Sequence, residues 1–142
     1  MNTKIYQGKY NFGKDREFLF DGKYIYKGFY PRIDNIIYTI KDDKVYEGRF
    51  DHLDKIVMTF DGKYAYEGRL KMMDKIRYTI IGNQIFEGRY DRQDKLVLNF
   101  DGKYLYEGKY QNNQDIVMNV DGKFPIGLFL CLLLKPDTNF NW

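Results

Sequence analysis

This sequence predicts an all-β fold in which six tandem 20-residue β-hairpin repeats close into a shallow, pseudo-symmetric antiparallel barrel of about twelve strands, with a short apolar C-terminal helix in or plugging the centre. Three observations lead there. Glycine recurs every 20 residues, at Gly8, Gly28, Gly48, Gly68, Gly88 and Gly108; both halves of each unit alternate with period two; and Asp-Gly recurs between units. The whole of 1–142 reads as one domain, with repeats over 3–120, the helix at about 125–135 and a short polar tail at 136–142.

Each first half sets an aliphatic residue (Ile5, Ile25, Val45, Ala65, Ile85, Leu105) before an aromatic one (Tyr6, Tyr26, Tyr46, Tyr66, Phe86, Tyr106), with the glycine two positions later. A basic residue follows at Lys9, Arg49, Arg69, Arg89 and Lys109, with Phe29 as the exception, and then usually another aromatic. The second halves resemble Asp54-Lys55-Ile56-Val57-Met58-Thr59-Phe60. Aromatic and β-branched residues in strict alternation suit a pleated, half-buried surface, so both halves are expected to be strands. Asp-Gly at 21–22, 61–62, 101–102 and 121–122 marks the short turns. A type I′ turn there needs positive φ at both central residues.

Centring the turn on Asp61-Gly62 puts Phe60 opposite Lys63, Met58 opposite Ala65 and Ile56 opposite Glu67. One face then carries Ile56, Met58, Phe60, Ala65, Glu67 and Arg69, and is assigned to the interior with its charged rows near one mouth. The repeated glycine is expected to relieve crowding where strands bend, or to let a tyrosine lie over bare backbone. The first unit departs from the pattern at 11–17, so its second strand is expected to be irregular. The turns at Lys41-Asp42 and Ile81-Gly82 read as having lost one residue each.

The run Ile126–Leu134 is apolar throughout and follows Pro125, which suits the first turn of a helix. Nine residues reach only about 13 Å, against a hydrocarbon core of roughly 30 Å, so no transmembrane span is expected. Twelve tilted strands would enclose a radius of roughly 12 Å, too wide for their own side chains and wide enough for a helix. Leu130 and Leu133 are therefore expected to be core residues.

The tandem DGKxxYxGxY and DxxYTI hairpins resemble the bacterial β-flower family over residues 4 to 134. That resemblance implies a symmetric barrel around a hydrophobic segment, of the general shape of Tubby C-terminal and phospholipid scramblase domains. Tubby domains bind phosphoinositides, but no motif here matches their binding residues, and the likeness is one of shape. The Tyr-Glu-Gly and Asp-Gly elements also resemble MORN repeats, whose unit is longer, which makes an open hairpin array the alternative fold. The apolar tail favours closure.

Functional signals are fewer. A formal net charge of +3 is spread along the chain without basic tracts, and the tyrosines are accounted for by sheet packing, so nucleic acid is not expected as a partner. One cysteine, Cys131, excludes an internal disulfide, and MNTKIYQGKY lacks a signal-peptide core; a cytoplasmic location, peripheral at a membrane in one reading, is expected. No asymmetric cluster suggests catalysis, a metal or a cofactor: His52 lies in a variable loop, and Asp34, Asp54, Asp74 and Asp94 suit turn capping. Lys9, Arg49, Arg69, Arg89 and Lys109 form a basic ring, expected at a barrel mouth. Interleaved Glu47, Glu67, Glu87 and Glu107 make it either a salt-bridged ladder or a site for anionic headgroups. Two functions remain open. The first is a non-enzymatic interaction or scaffold module that meets a protein through loops such as Pro31-Arg32-Ile33 and Lys71-Met72-Met73; the second is a barrel that binds anionic lipid.

Overall fold

In a computed structural model that describes residues 2–10, 12–13 and 16–134, the chain forms a closed antiparallel barrel. Its strands are β1 (Thr3–Gln7), β2 (Arg16–Phe20), β3 (Tyr24–Lys27), β4 (Ile36–Lys41), β5 (Lys44–Glu47), β6 (Ile56–Phe60), β7 (Tyr64–Glu67), β8 (Ile76–Ile81), β9 (Gln84–Glu87), β10 (Leu96–Phe100), β11 (Tyr104–Glu107) and β12 (Ile116–Asp121). Each pairs with its sequence neighbours, and β1 closes on β12 through Ile5 opposite Val120. Closure leaves no open edge, which removes the alternative of an open array. The helix α1 spans Ile126–Leu133. The expected tail at 136–142 lies outside the described residues.

The expected register is corrected by two residues: Phe60 lies opposite Ala65, Thr59 opposite Tyr66 and Met58 opposite Glu67. The turn is centred on Gly62-Lys63, because the Asp61 amide donates to the Tyr64 carbonyl at 3.1 Å and so belongs to the ladder. Only glycine has positive φ in this turn, 99° at Gly62, which is the pattern of a Gly-X turn of type II′ and not of type I′. Because side chains alternate with period two, a shift of two keeps Met58, Phe60 and Ala65 on their expected inner face. The bulge at the start of β6, however, sets Ile56 opposite the outward Tyr46 and Val57 against the core, and Arg69 leaves the wall after Gly68. Met58 and Ala65 are accordingly buried inside the barrel.

Nor is any residue lost at 41 and 81. The same two-residue turn is built from Asp42-Asp43 and Gly82-Asn83, with Asp42 at φ 57° where the other turns have glycine. What changes is the residue before it, Lys41 or Ile81 in place of aspartate. The first unit forms a five-residue β2, with the same kind of bulge against its preceding strand as the other units, and residues 11, 14 and 15 of the departing stretch lie outside the described residues.

In the long connections the repeated glycine turns the chain back at positive φ, for example 78° at Gly68, with open space where a Cβ would stand. Thr59 Oγ1 donates to the Gly68 carbonyl at 2.8 Å, and Thr39, Thr79 and Asn99 do the same for Gly48, Gly88 and Gly108. The glycines therefore permit a left-handed reversal, not a relief of crowding. Asn119 bonds both the Gly8 and Tyr10 carbonyls, at 3.0 and 3.1 Å, across the seam that closes the ring. The connections after β3, β5, β7, β9 and β11 then return through a short 3₁₀ turn, such as Leu53–Lys55 or Met73–Lys75, and a β-bulge where the next strand begins.

Inside, Phe18, Met58, Leu98 and Met118 on the even strands and Ile5, Ile25, Val45, Ile85 and Leu105 on the odd strands bury completely or nearly so. Leu128, Leu130, Cys131, Leu132 and Leu133 of α1 occupy the centre. The helix enters at the short-turn end, where Gly127 meets Ile40 and Phe60, and runs toward the long-connection end. Leu130 and Leu133 are core residues as expected, which places the apolar tail where a wide bore needs filling.

Candidate functional site

The outer wall is as ordered as the interior. Tyr6, Tyr26, Tyr46, Tyr66, Phe86 and Tyr106 face outward yet are buried, along with Thr39, Thr59, Thr79, Asn99 and Asn119. Their cover comes from the long connections, which fold back along the wall toward the short turns. Asp51, in one connection, pairs with Lys41 at the end of β4 at 2.9 Å, and Lys71, in the next, pairs with Asp43 in the same short turn. Gln111 reaches Asn99 at 2.8 Å.

This placement corrects the position expected for Lys9, Arg49, Arg69, Arg89 and Lys109. They sit on connections laid over the outer wall and not on a ring around a mouth. The physical reason is the left-handed glycine just before each of them, which turns the backbone outward and down. Glu47, Glu67, Glu87 and Glu107 precede that glycine and remain on the strands, opposite Tyr38, Met58, Tyr78 and Leu98. Among the described residues, ion pairs join Lys41–Asp51, Asp43–Lys44, Asp43–Lys71 and Arg92–Asp94, and none joins the basic series to these glutamates. The expected ladder is therefore not formed.

Instead, four of the five cations lie over the aromatic ring that follows in sequence. Arg49 stands 4.8 Å from the Phe50 centroid, Lys109 5.1 Å from Tyr110, Arg89 5.2 Å from Tyr90 and Lys9 5.9 Å from Tyr10. Arg69 is followed by Leu70 and has no such ring beside it in sequence. The five basic residues do not converge on one pocket. Arg49 lines a hollow of about 430 Å³ between two adjacent connections, with Tyr24, Tyr26, Ile33, Phe50 and Asp51, and each other basic residue belongs to its own connection.

Large apolar side chains are exposed along the same connections. Tyr10, Phe12, Phe29, Tyr30, Ile33, Phe50, Leu53, Leu70, Met72, Met73, Tyr90 and Tyr110 all belong to them, and Met73 is 67% and Leu53 65% exposed. Only Ile81 among the described residues of this kind lies at a short turn. These exposed apolar side chains recur on successive connections around the wall.

The side chains suited to chemistry are dispersed or inert. Burial pushes the Cys131 thiol well above its ordinary range, which keeps it protonated among leucines. Burial first, with Cys131 and Glu47 nearby, raises the Tyr38 hydroxyl to about 12. His52 stacks on Phe50 with ring centroids 5.3 Å apart. Among the described residues, no three His, Cys, Asp or Glu side chains gather to share a metal ion, and no helix is long and apolar enough to cross a membrane.

A second feature carried no sequence signal. At the short-turn end a cavity of about 620 Å³ opens between α1 and the wall, lined by Thr3, Phe20, Ile40, Asp42, Phe60 and Lys123 among others. It exists because the lead-in to the helix covers only part of the mouth. Phe124 packs on Phe100 at 4.9 Å between centroids, and Phe20, Ile40 and Phe60 line the space left beside it. The repeats are alike, so the asymmetry arises from where the last one breaks off.

Compared with known proteins, the chain matches over residues 5–132 a family described as "6-fold beta flower protein". No curated protein and no solved structure matches it.

Proposed function

Because the chain belongs to the six-fold β-flower family, whose function is not known, we propose that it is a non-enzymatic interaction module that docks a protein partner on its outer connections. One observation carries this reading: nearly all the exposed large apolar side chains of the described residues lie on the connections that wrap the barrel wall. Tyr, Phe, Met and Arg are the residues that dominate protein contacts, and here they are offered on loops held to a rigid wall by Thr-to-glycine bonds. The connection 68–75 is the strongest single patch. It presents Leu70, Met72 and Met73 beside Arg69 and Lys75, with Lys71 engaged by Asp43, which suits an apolar ridge edged by carboxylates. Repetition around the barrel allows several such contacts at once, which multiplies weak ones.

The lipid reading draws support from the exposed cation-on-ring pairs, since aromatic and basic residues anchor proteins at membrane surfaces. Two observations weigh against it. A bilayer is flat and touches a belt on a round wall at only one or two repeats, and Asp51, Asp74, Asp91 and Asp94 on the same connections offset the attraction to anionic lipid.

A photo-crosslinking residue placed at Phe50, Leu53 or Met73, with Lys63 on a short turn as the control position, tests the proposal. The expected result is one shared protein adduct from the three connection positions and none from the control, with the purified partner losing affinity for a Phe50→Ser, Leu53→Ser, Met73→Ser variant of unchanged Tm. Equal labelling at Lys63, or unaltered affinity of the variant, would refute it. Salt-sensitive sedimentation with phosphatidylserine vesicles, lost in the same variant and without any adduct, would favour the lipid reading instead.

A further inference from the structure

The cavity at the short-turn end is large and mainly apolar, and the docking surface proposed above does not use it. Its walls are Phe20 from β2, Ile40 from β4 and Phe60 from β6, closed on one side by Phe124 and Pro125 and floored by Gly127. About 620 Å³ falls within the range of sites that hold small molecules. The space depends on Gly127, since a Cβ there would fall 2.8 Å from Ile40 Cγ2, so this position admits neither a side chain nor closer packing of the helix. Polar groups are confined to the lip. Thr3 spends its hydroxyl on the Lys123 carbonyl, which leaves the side chains of Lys123 and Asp42 as the two charges there.

We infer that this cavity binds a small amphipathic anion, with its apolar body against Phe20, Ile40 and Phe60 and a carboxylate-like head at the lip beside Lys123. Two features favour a negative head and one opposes it. Lys123 is a free-standing cation at the lip, and no side chain caps the start of α1 beside the cavity-lining Pro125 and Gly127, although the Leu128 amide donates to the Pro125 carbonyl at 3.0 Å. Asp42 opposes them from the turn between β4 and β5. That turn also holds the one described non-glycine residue with positive φ, so the backbone of the lip is under strain at a point where every other turn uses glycine. The chemistry at the lip selects the head, and the aromatic wall selects the body.

Octanoate is the probe, compared with octan-1-ol and octylamine at concentrations below micelle formation, with amide shifts of the intact protein as the readout. Saturable one-to-one shifts confined to Thr3, Phe20, Ile40, Phe60 and Lys123 are expected, with octanoate binding at least about threefold more tightly than the alcohol, the size of an exposed charge contact. Lys123→Glu should erase that advantage, while Asp42→Gly should increase octanoate affinity by about twofold to fivefold. Both positions are exposed, so neither variant endangers the fold. No shift at this mouth, shifts spread over the outer connections, or equal affinity for all three probes would overturn the inference. None of those outcomes bears on the protein-docking surface, and loss of the crosslinked adduct would leave octanoate binding untouched.

Discussion

The hydroxyl of Tyr66 donates to Asp61 Oδ2 at 2.6 Å, while Asp61 Oδ1 accepts the backbone amides of Lys63 and Tyr64 at 3.1 and 2.8 Å. One carboxylate thus fixes a short turn and pins an outward tyrosine to the wall. Tyr64 stands edge-on to Tyr66, with Lys63 over its ring, and the same assembly recurs at Asp21 and Asp101. Lys41 and Ile81 interrupt it in alternate units, so a three-fold pattern overlies the six-fold one. We predict that Asp61→Ala costs about 1–2 kcal/mol, because three bonds to a charged acceptor vanish at a partly exposed site. Urea unfolding measures it, and a loss below a few tenths of a kcal/mol would show the turn to be set by Gly62 alone.

These groups also set the pH range of stability. Burial pushes the Asp61 carboxyl up, but the Tyr66 hydroxyl and the amides of Tyr64 and Lys63 outweigh it, and the net shift is downward; Asp21 and Asp101 shift the same way. A depressed carboxyl contributes stability that is present above its unfolded value near 3.9 and is lost as pH falls through the folded value. The hydrogen bond to Asp61 first, and burial second, push Tyr66 up to about 12, and Tyr106 follows suit with Asp101. A raised phenol contributes stability present below pH 10 and lost as pH rises through about 12. Stability should therefore decline on an acid limb below about pH 4 and an alkaline limb above about pH 10. Replacing Asp21, Asp61 and Asp101 with Ala should flatten the first, and replacing Tyr26, Tyr66 and Tyr106 with Phe should flatten the second. Midpoints of denaturant unfolding across pH decide it, and limbs that persist unchanged in both triple variants would count against this origin.

The repeat, the faces of the mid-strand residues and the buried tail were legible because each rests on periodicity or length, whereas the bulge that turns Ile56 outward and Val57 inward was not. Met58 and Ala65 went inside by alternation alone, and Leu130 by the arithmetic of a wide bore. The register was not legible, because Asp-Gly marks two different turns, and whether Asp61 stands inside the turn or on its ladder depends on the Asp61-to-Tyr64 backbone bond. The basic series could be counted but not placed. Its direction follows from the backbone of Gly48, Gly68 and Gly88, whose left-handed φ sends Arg49, Arg69 and Arg89 down the wall. The cavity had no local signature at all, since it is the space left beside Phe124 and lined by Phe20, Ile40 and Phe60.

One unit holds its glycine by other means. Where Thr59 has its counterparts, β2 presents Leu19, which has no donor. Arg16 replaces it, with Nε donating to the Gly28 carbonyl at 3.4 Å and Nη2 to the Phe29 carbonyl, while its guanidinium lies 5.0 Å from the Phe29 ring. We predict that Arg16→Ala loosens this connection and lowers stability by about 1 kcal/mol, and that adding Leu19→Thr restores most of it. Amide hydrogen exchange at Gly28 reports the local effect. A double variant no better than the single one would mean that Arg16 acts through packing on Phe29 and not through the carbonyls.

Gly127 packs closely against Ile40 of β4. Ile40 Cγ2 would be 2.8 Å from a Cβ and Ile40 Cδ1 3.2 Å, so Gly127→Ala should cost about 1–3 kcal/mol by overpacking, despite the better helix propensity of alanine. Shortening the opposing side chain makes room. Ile40→Ala alone should also destabilise, yet the double variant should be more stable than the sum of the two losses predicts, with a coupling of about 1 kcal/mol or more. Strict additivity in thermal unfolding would place the helix farther from β4 than this contact requires.

The barrel should not fold without its helix. Leu130 is fully buried and Leu133 nearly so, and the interior rows of the strands close around them. Removing those contacts leaves a bore that the side chains of the twelve strands are too short to fill, and water in it would solvate the faces meant to be dry. Asp at both positions adds two charges with no partner in that apolar bore, a penalty on the order of the whole 5–15 kcal/mol that stabilises a typical domain. We therefore predict that Leu130→Asp with Leu133→Asp abolishes the cooperative transition seen by circular dichroism and by tyrosine fluorescence. Leu130→Ala, which removes volume but introduces no charge, should keep a cooperative transition and lose about 2–5 kcal/mol. If the double-Asp variant unfolds cooperatively with its stability intact, the helix is a passenger and the wall alone is sufficient. If only the alanine variant survives, the six repeats are a shell that becomes a fold when the last segment fills them.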